Sequence, residues 1–262
     1  MRLDKYLTQA ALGTKKDVKQ MIRMGLICVN DIPAEEPCTV VEQGDIITYQ
    51  GQVVENTKKM YYMFHKPAGC LCARKDENRN TIFSYFQDID TTALFPVGRL
   101  DMDTEGILLL TNDGEFNHKL MHPTHHVEKT YVFWAFGILD EEKIKQLEEG
   151  ILLDGLEMTK PAKIRVLKAG AFETYEEEIR KQVGDLGKRK KNLFQKQVVL
   201  GELIISEGKK HQVKRMLKEV GCYIVYLKRT AIGNLLLDEN LELGYYRELK
   251  KEEIQRLSDY KV

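Results

Sequence analysis

Residues 98–106 read Gly-Arg-Leu-Asp-Met-Asp-Thr-Glu-Gly and carry the densest chemical potential in this chain of 262 residues. Two carboxylates, Asp101 and Asp103, stand close to a cation, Arg99, in a short loop bounded by glycines. An apolar run of strand length follows, Ile107 to Leu110, and ends in the Asn112-Asp113-Gly114 turn signal. A loop held by a rigid strand is a common seat for a nucleophile or general base. The same string also describes a charged surface turn, so the decision rests on other segments.

Three further stretches carry chemistry. Lys129-Thr130-Tyr131 heads a run continuing Val132-Phe133-Trp134, where a tyrosine either packs as a half-buried core aromatic or faces a pocket. Residues 206–217, Ser-Glu-Gly-Lys-Lys-His-Gln-Val-Lys-Arg-Met-Leu, read as a strand end, a glycine turn and a basic helix. Residues 181–218 hold eleven Lys/Arg against three Asp/Glu, a local surplus suited to a phosphate backbone. Residues 225–233, Val-Tyr-Leu-Lys-Arg-Thr-Ala-Ile-Gly, read as a strand with Leu227 inside. His118, His122, His125 and His126 are dense, but no Asp, Glu or Cys joins them at metalloenzyme spacing, so no metal is expected. The glycines at 98 and 106 have the wrong spacing for a nucleotide-phosphate loop.

These four segments, in this order, resemble the signature of the RNA pseudouridine synthases. The resemblance implies that Asp101 is the catalytic residue, that Tyr131 stacks on the target base and that Lys214 pairs with Asp101. It implies that Leu227 lines the uracil pocket and that Arg99 fills the gap left by a flipped base. Lys209, His211 and Arg215, in the basic segment, are further expected substrate contacts. An opposite charge within a few ångströms would keep the carboxylate ionised when substrate desolvates it. The strand ending His65-Lys66-Pro67-Ala68-Gly69 matches the family's opening pattern, with His65 replacing the usual asparagine. The implied reaction breaks C1′–N1 of a uridine, turns the uracil and forms C1′–C5, with no cofactor.

The elements that must position these groups divide in two. Over 1–51, Leu3 and Leu7 recur at helical spacing, Gly13-Thr14 breaks and caps, and a second helix is expected from about Lys15 to Met24. Short strands follow over 26–29, 40–41 and 46–49. The residues Arg2-Leu3-Asp4, Leu7, Ile22, Gly25, Val29-Asn30 and Gly44-Asp45 resemble the S4 RNA-binding domain. Residues 1–25 hold six Lys/Arg against two Asp. Arg2, Lys5, Lys15, Lys16, Lys19 and Arg23 are therefore expected on RNA, although Thr14-Lys15-Lys16 stands where that family shows Ser-Arg. Residues 52–59 lack periodicity and read as a linker.

The expected architecture is α+β. A small S4-like α/β domain over 1–58 precedes a catalytic domain over 59–262, built on a mixed, mainly antiparallel sheet with flanking helices. A helix over 140–149 and strands near 164–166 and 198–205 belong to it. Residues 169–197, rich in charge, read as an insertion.

Composition bounds the rest. Lys+Arg and Asp+Glu are each 40, so only local clustering speaks for nucleic acid. Hydrophobic residues make up 43%, enough for a substantial core. Five scattered cysteines without Cys-x-x-Cys argue against a zinc site or a disulfide framework and fit a reducing cytoplasm. The polar start and the lack of a long apolar run predict a cytoplasmic protein with no membrane partner. The expected partner is ribosomal RNA and the expected state a monomer. The form His-Gln-Val-Lys-Arg-Met together with the S4 module resembles the RsuA-type, small-subunit rRNA branch. The alternatives are a large-subunit enzyme and a non-catalytic ribosome-associated S4 protein. A metal-dependent RNA hydrolase using Asp101 and Asp103 lacks further carboxylate ligands.

Overall fold

The computed structural model describes residues 1–10, 12–55, 58–184 and 197–260. The chain first forms α1 (Leu3–Gln9), α2 (Lys15–Arg23), β1 (Ile27–Val29), β2 (Ile32–Pro33), β3 (Ile47–Tyr49) and β4 (Gln52–Val53). Thr14 caps α2 through a reciprocal box with Asp17, which fixes where the helix starts. The strands pair antiparallel in the order β2-β1-β3-β4. Leu3, Leu7, Val18, Ile22, Ile27 and Ile47 meet in a core of their own. Two expectations shift here. Residues 52–53 extend this sheet, so the expected linker is shorter than 52–59. Val40 makes only an isolated bridge with Arg2, because Gly44-Asp45 turns the chain before a ladder can grow.

The rest of the chain continues through β5 (Tyr61–Lys66), β6 (Phe95–Val97), β7 (Glu105–Thr111), α3 (Gly114–Met121), β8 (Lys129–Phe136) and α4 (Glu141–Glu149). Then come β9 (Leu152–Leu153), β10 (Glu157–Met158), β11 (Lys163–Ala171), α5 (Phe172–Val183), β12 (Gln197–Ile205) and α6 (Gln212–Glu219). The chain closes with β13 (Tyr223–Ile232), β14 (Leu235–Leu236), β15 (Tyr246–Glu248) and α7 (Lys251–Ser258). Among the described residues these strands, apart from the β9–β10 pair, form one nine-stranded sheet. Its central path runs β11-β12-β8-β13-β7-β5-β15. Every pairing is antiparallel except β13 with β7, where Lys228 stands opposite Glu105 and Arg229 opposite Gly106. The mixed, mainly antiparallel sheet with flanking helices is the expected class.

Both faces of the sheet are covered, which is why its central strands read as continuous apolar runs. Phe64, Leu108, Leu110, Phe133, Leu203, Leu217 and Leu227 pack on one side. Met63, Ile107, Leu109, Phe116, Ile232 and Leu257 pack on the other. The stretch expected to be an insertion is in part regular structure. Residues 169–171 finish β11, and residues 172–183 form α5, whose Phe172 and Ile179 bury against Trp134 and Phe136. The basic run at 188–191 lies outside the described residues.

Candidate active site

The loop between β6 and β7 holds the two carboxylates, and its shape is set from beneath by a buried lysine. Lys66, at the end of β5, is fully buried. Its ammonium donates to the carbonyls of Pro67 (2.9 Å), Asp101 (3.1 Å), Met102 (3.3 Å) and Thr104 (3.0 Å). Burial pushes its pKa down, while the nearby Asp101 and Asp103 charges are among those opposing that shift. A buried cation is costly unless its donors are satisfied. Four carbonyls meet that demand here, and in doing so they pin both sides of the loop to β5. Gly69 N–H adds a 2.7 Å bond to the Met102 carbonyl.

Gly106, at the start of β7, lets the loop enter the sheet. Its φ is +112°, and a Cβ there would lie 2.1 Å from the Arg229 carbonyl oxygen. No larger residue fits that approach of β7 to β13.

Across the cleft, β12 ends and the chain passes through Gly208 into α6. Lys214, on the first turn of α6, places its ammonium 3.1 Å from Asp101 Oδ2, and it also pairs with Asp103 at very short range. The sequence expectation paired Lys214 with Asp101 alone. Asp103 is the more exposed of the two carboxylates and takes the other side of the same ammonium. Burial works to raise the Asp103 pKa, but the Lys214 hydrogen bond and charge outweigh it and hold it below the usual carboxylate value. His211 Nε2 lies 3.7 Å from Asp101 Oδ1, from a residue in the left-handed region (φ +51°).

These groups line one cleft of about 690 Å³. Arg99, Asp101, Lys209, His211 and Lys214 stand with Tyr131 and Leu227 around it. Tyr131 and Leu227 are buried, while Arg99 is exposed. Seven of the eight residues predicted for substrate and chemistry are thus brought together from four separated segments. Arg215 is the exception. Its guanidinium turns to Asp154 (2.7 Å) and Glu157 (3.2 Å), and it does not line the cleft. Lys209 lines it but spends its ammonium on Glu157 at 3.0 Å.

Among the S4-like residues, Lys15, Lys16, Lys19 and Arg23 are exposed on or beside one helix. None has an ion-pair partner among the described residues. Arg2 pairs with Asp4 at 2.9 Å, and Lys5 reaches Glu115 of α3 at 2.5 Å. Those two cations are partly committed to the protein itself.

Three cleft residues, Thr104, Lys129 and Arg229, and the buried Lys66 beneath the loop were given no role from sequence. Strand alternation offered a signal for two of them. Lys129 lies two residues before Tyr131, and Arg229 two after Leu227, so each shares a face with a predicted pocket residue. The histidines at 118, 122 and 125 pack ring against ring, with centroids 4.7 to 6.5 Å apart. Among the described residues no group of three or more His, Cys, Asp or Glu could hold a metal ion.

A carboxylate and a lysine facing each other over an aromatic-walled cleft, on a mixed sheet preceded by a small basic module, define a class of RNA-modifying enzyme. Residues 60–219 match the RNA pseudouridylate synthase family and residues 1–47 the S4 domain, and the chain belongs to that synthase family. It is 36% identical to an RNA pseudouridine synthase of Bacillus subtilis over 99% of both chains. It is 33% identical to the ribosomal small subunit pseudouridine synthase A of Vibrio cholerae, over 97% of this chain and 98% of that one. It is 35% identical to the ribosomal large subunit pseudouridine synthase B of Bacillus subtilis, over 98% and 95%. A crystal structure of a pseudouridylate synthase superposes with a TM-score of 0.64 at 33% identity, covering 98% of this chain and 99% of the other. The enzyme is a pseudouridine synthase and its substrate is RNA. Among the described residues no helix is long and apolar enough to cross a membrane.

Proposed function

We propose that this enzyme isomerises one uridine of small-subunit, 16S rRNA to pseudouridine, with Asp101 as the acting carboxylate. The observation that carries the reading is the Lys214–Asp101 pair, 3.1 Å apart at a cleft walled by Tyr131 and Leu227. The target nucleotide leaves its stack, at a cost of about a few kcal/mol offset by stacking and edge contacts in the cleft. Tyr131 stacks on the uracil, Leu227 packs against it, and exposed Arg99 takes the space the base vacates. Asp101 then acts on the ribose, as nucleophile at C1′ or as base at C2′, while Lys214 holds it in place. The uracil turns, C5 bonds to C1′, the C5 proton is lost and N1 regains one. Atoms and charge balance without a cofactor.

The basic face of the S4 module, Lys15, Lys16, Lys19 and Arg23 with Arg2 and Lys5, contacts phosphates of the same RNA. Residues 1–58 act as the capture unit and 59–262 as the catalytic unit. We read the protein as a monomer, and its five free cysteines support a cytoplasmic setting. The small-subunit target is favoured by the 211–216 sequence form. The similarity to a large-subunit enzyme makes 23S rRNA the second reading.

Pseudouridine mapping of rRNA from cells with and without the protein tests target and reaction together. The expected result is one lost position in 16S rRNA. Asp101→Asn should abolish conversion while RNA affinity falls by less than about tenfold, because affinity rests on phosphate contacts. An active Asp101→Asn beside an inactive Asp103→Asn would reassign the carboxylate.

A further inference from the structure

Three polar side chains of the cleft are buried and short of partners. Thr104 is 1% exposed, and its hydroxyl makes no hydrogen bond among the described residues. Arg229 is 4% exposed; its Nε donates to the Ile107 carbonyl at 2.9 Å, but its Nη2 has no partner among the described residues. Lys129 is 6% exposed; among the described residues its ammonium has no hydrogen bond or ion pair, and unlike the other two it keeps some contact with solvent at the cleft. Its pKa falls to about 8, through burial first and the Arg229 charge second. Glu207 acts on it from a distance, but one Glu207 oxygen is already taken by Gln212 (2.6 Å) and the Lys160 N–H (3.0 Å). Buried polar groups nearly always find partners, and two unpaired cations in one cavity are costlier still. All three residues line the cleft that holds Asp101.

Register explains how they converge. Arg229 of β13 stands directly opposite Tyr131 of β8, so both face the same side of the sheet. Lys129 shares that face two residues before Tyr131. Gly106, opposite Arg229 on β7, adds no side chain to it. These donors share the cleft with the Tyr131 ring and Leu227, apolar surfaces that suit a flat base better than a tetrahedral phosphate.

We infer that Thr104, Lys129 and Arg229 receive the uracil carbonyl oxygens and stabilise the uracil anion released when C1′–N1 breaks. The inference rests on the reading of the Asp101 cleft as the uridine site. When that bond breaks, its electron pair leaves with the ring and spreads over N1 and the two carbonyls. C1′ passes to the Asp101 carboxylate, or to a C1′–C2′ double bond after Asp101 takes the C2′ proton. Bond formation from C5 to C1′ returns the pair, so the donors hold charge only while the base is detached. Donors aimed at charge that exists only during the reaction accelerate it without tightening substrate binding. A donor-lined pocket also disfavours cytosine, whose amino group would face like donors.

Single-turnover conversion at saturating RNA tests this, using the full chain and RNA carrying either uridine or 5-fluorouridine at the target. Fluorine stabilises the departing anion, so a donor that stabilises it matters less. Lys129→Met should slow uridine cleavage by about 10²-fold, the usual cost of one such donor. It should slow fluorouridine cleavage by about tenfold or less and leave RNA affinity within about threefold. Lys129→Arg should recover most of the uridine rate. Thr104→Val, which preserves shape, should show the same bias toward fluorouridine at smaller size and provides the reading if Lys129→Met does not fold. Equal slowing of both substrates, or a loss confined to RNA affinity as for a phosphate contact, would overturn the inference. Asp101→Asn is run alongside. If it is inactive and the Lys129 variants show no substrate bias, only the donor role fails. If it is active, the cleft is not the uridine site and both readings fall.

Discussion

Lys214 faces two carboxylates with one ammonium, and that geometry separates charge from shape. Asp101 and Asp103 share the cation, so its removal leaves two like charges facing each other in a partly desolvated loop. Lys214→Met should therefore lower turnover by about 10²-fold or more, as Asp101 loses both its partner and its orientation. Lys214→Arg keeps the charge but replaces a point cation with a planar fork. It should stay within about tenfold of wild type. Single-turnover rates of both variants decide the matter, since equal losses would mean that Lys214 acts through something other than its charge. Lys66 works on the same loop from the other side. It was visible only as one letter in a strand-and-turn pattern, because a lysine's burial depends on carbonyls contributed 35 to 38 residues later in the chain. Arg215 failed in the opposite direction. A basic helix looks uniformly available from sequence, yet Asp154 and Glu157, which neutralise it, come from a distant hairpin.

At the scale of elements, the legible parts were those governed by local rules. The Thr14 cap, the Asn-Asp-Gly stop after β7 and the helix capped by Asp140 are set by short-range hydrogen bonding and periodicity. The crossovers were not legible. The parallel contact of β13 with β7 and the paired faces of β8 and β13 arise from long-range register, so alternation could place Lys129 beside Tyr131 and Arg229 beside Leu227 but could not show that the two converge. Asp113 shows how a local signal acquires a tertiary load. As N-cap of α3 it accepts from the Glu115 and Phe116 amides, and it also takes the Tyr61 hydroxyl at 2.9 Å and Lys59 at 2.7 Å. Burial alone would raise its pKa, but the Lys59 and Tyr61 hydrogen bonds outweigh that and lower it. Asp113→Ala should cost about 2–4 kcal/mol at neutral pH, a cap plus a buried charge-assisted pair. A carboxylate with a lowered folded pKa stabilises above its unfolded value, near pH 4, and loses that contribution as pH falls through the folded value. Urea midpoints of wild type and variant should accordingly converge below about pH 4; a gap that persists at pH 2.5 would assign the cost to packing rather than charge.

For the whole molecule, the question is how two sheets with separate cores divide one task. The first core closes on Leu3, Leu7, Ile22 and Ile47, and the cleft draws no residue from it. The Lys5–Glu115 ion pair joins the two parts at the surface, where such a pair contributes about 1 kcal/mol or less. The chain as a whole carries zero formal charge, so capture of an extended RNA depends on where the cations gather. On α2 they gather without ion-pair partners among the described residues, whereas the acidic residues of the catalytic part already hold many of its own lysines and arginines. Replacing Lys15, Lys16 and Lys19 together by alanine should therefore weaken binding of long rRNA fragments and flatten the salt dependence. If each neutralises one phosphate, the slope of log K against log salt should fall by about 2. The chemical step should persist, because Asp101, Tyr131, Lys214 and Leu227 keep their places. The module also raises the local concentration of RNA at the cleft, so its loss should appear at limiting RNA and fade at saturation. Deleting residues 1–58 should extend the same trend, provided that circular dichroism and thermal melting show the remainder folded. Rates at limiting and saturating RNA, measured at two salt concentrations, separate capture from chemistry. A folded truncation that is inactive at saturating RNA would place the N-terminal module within the catalytic step itself.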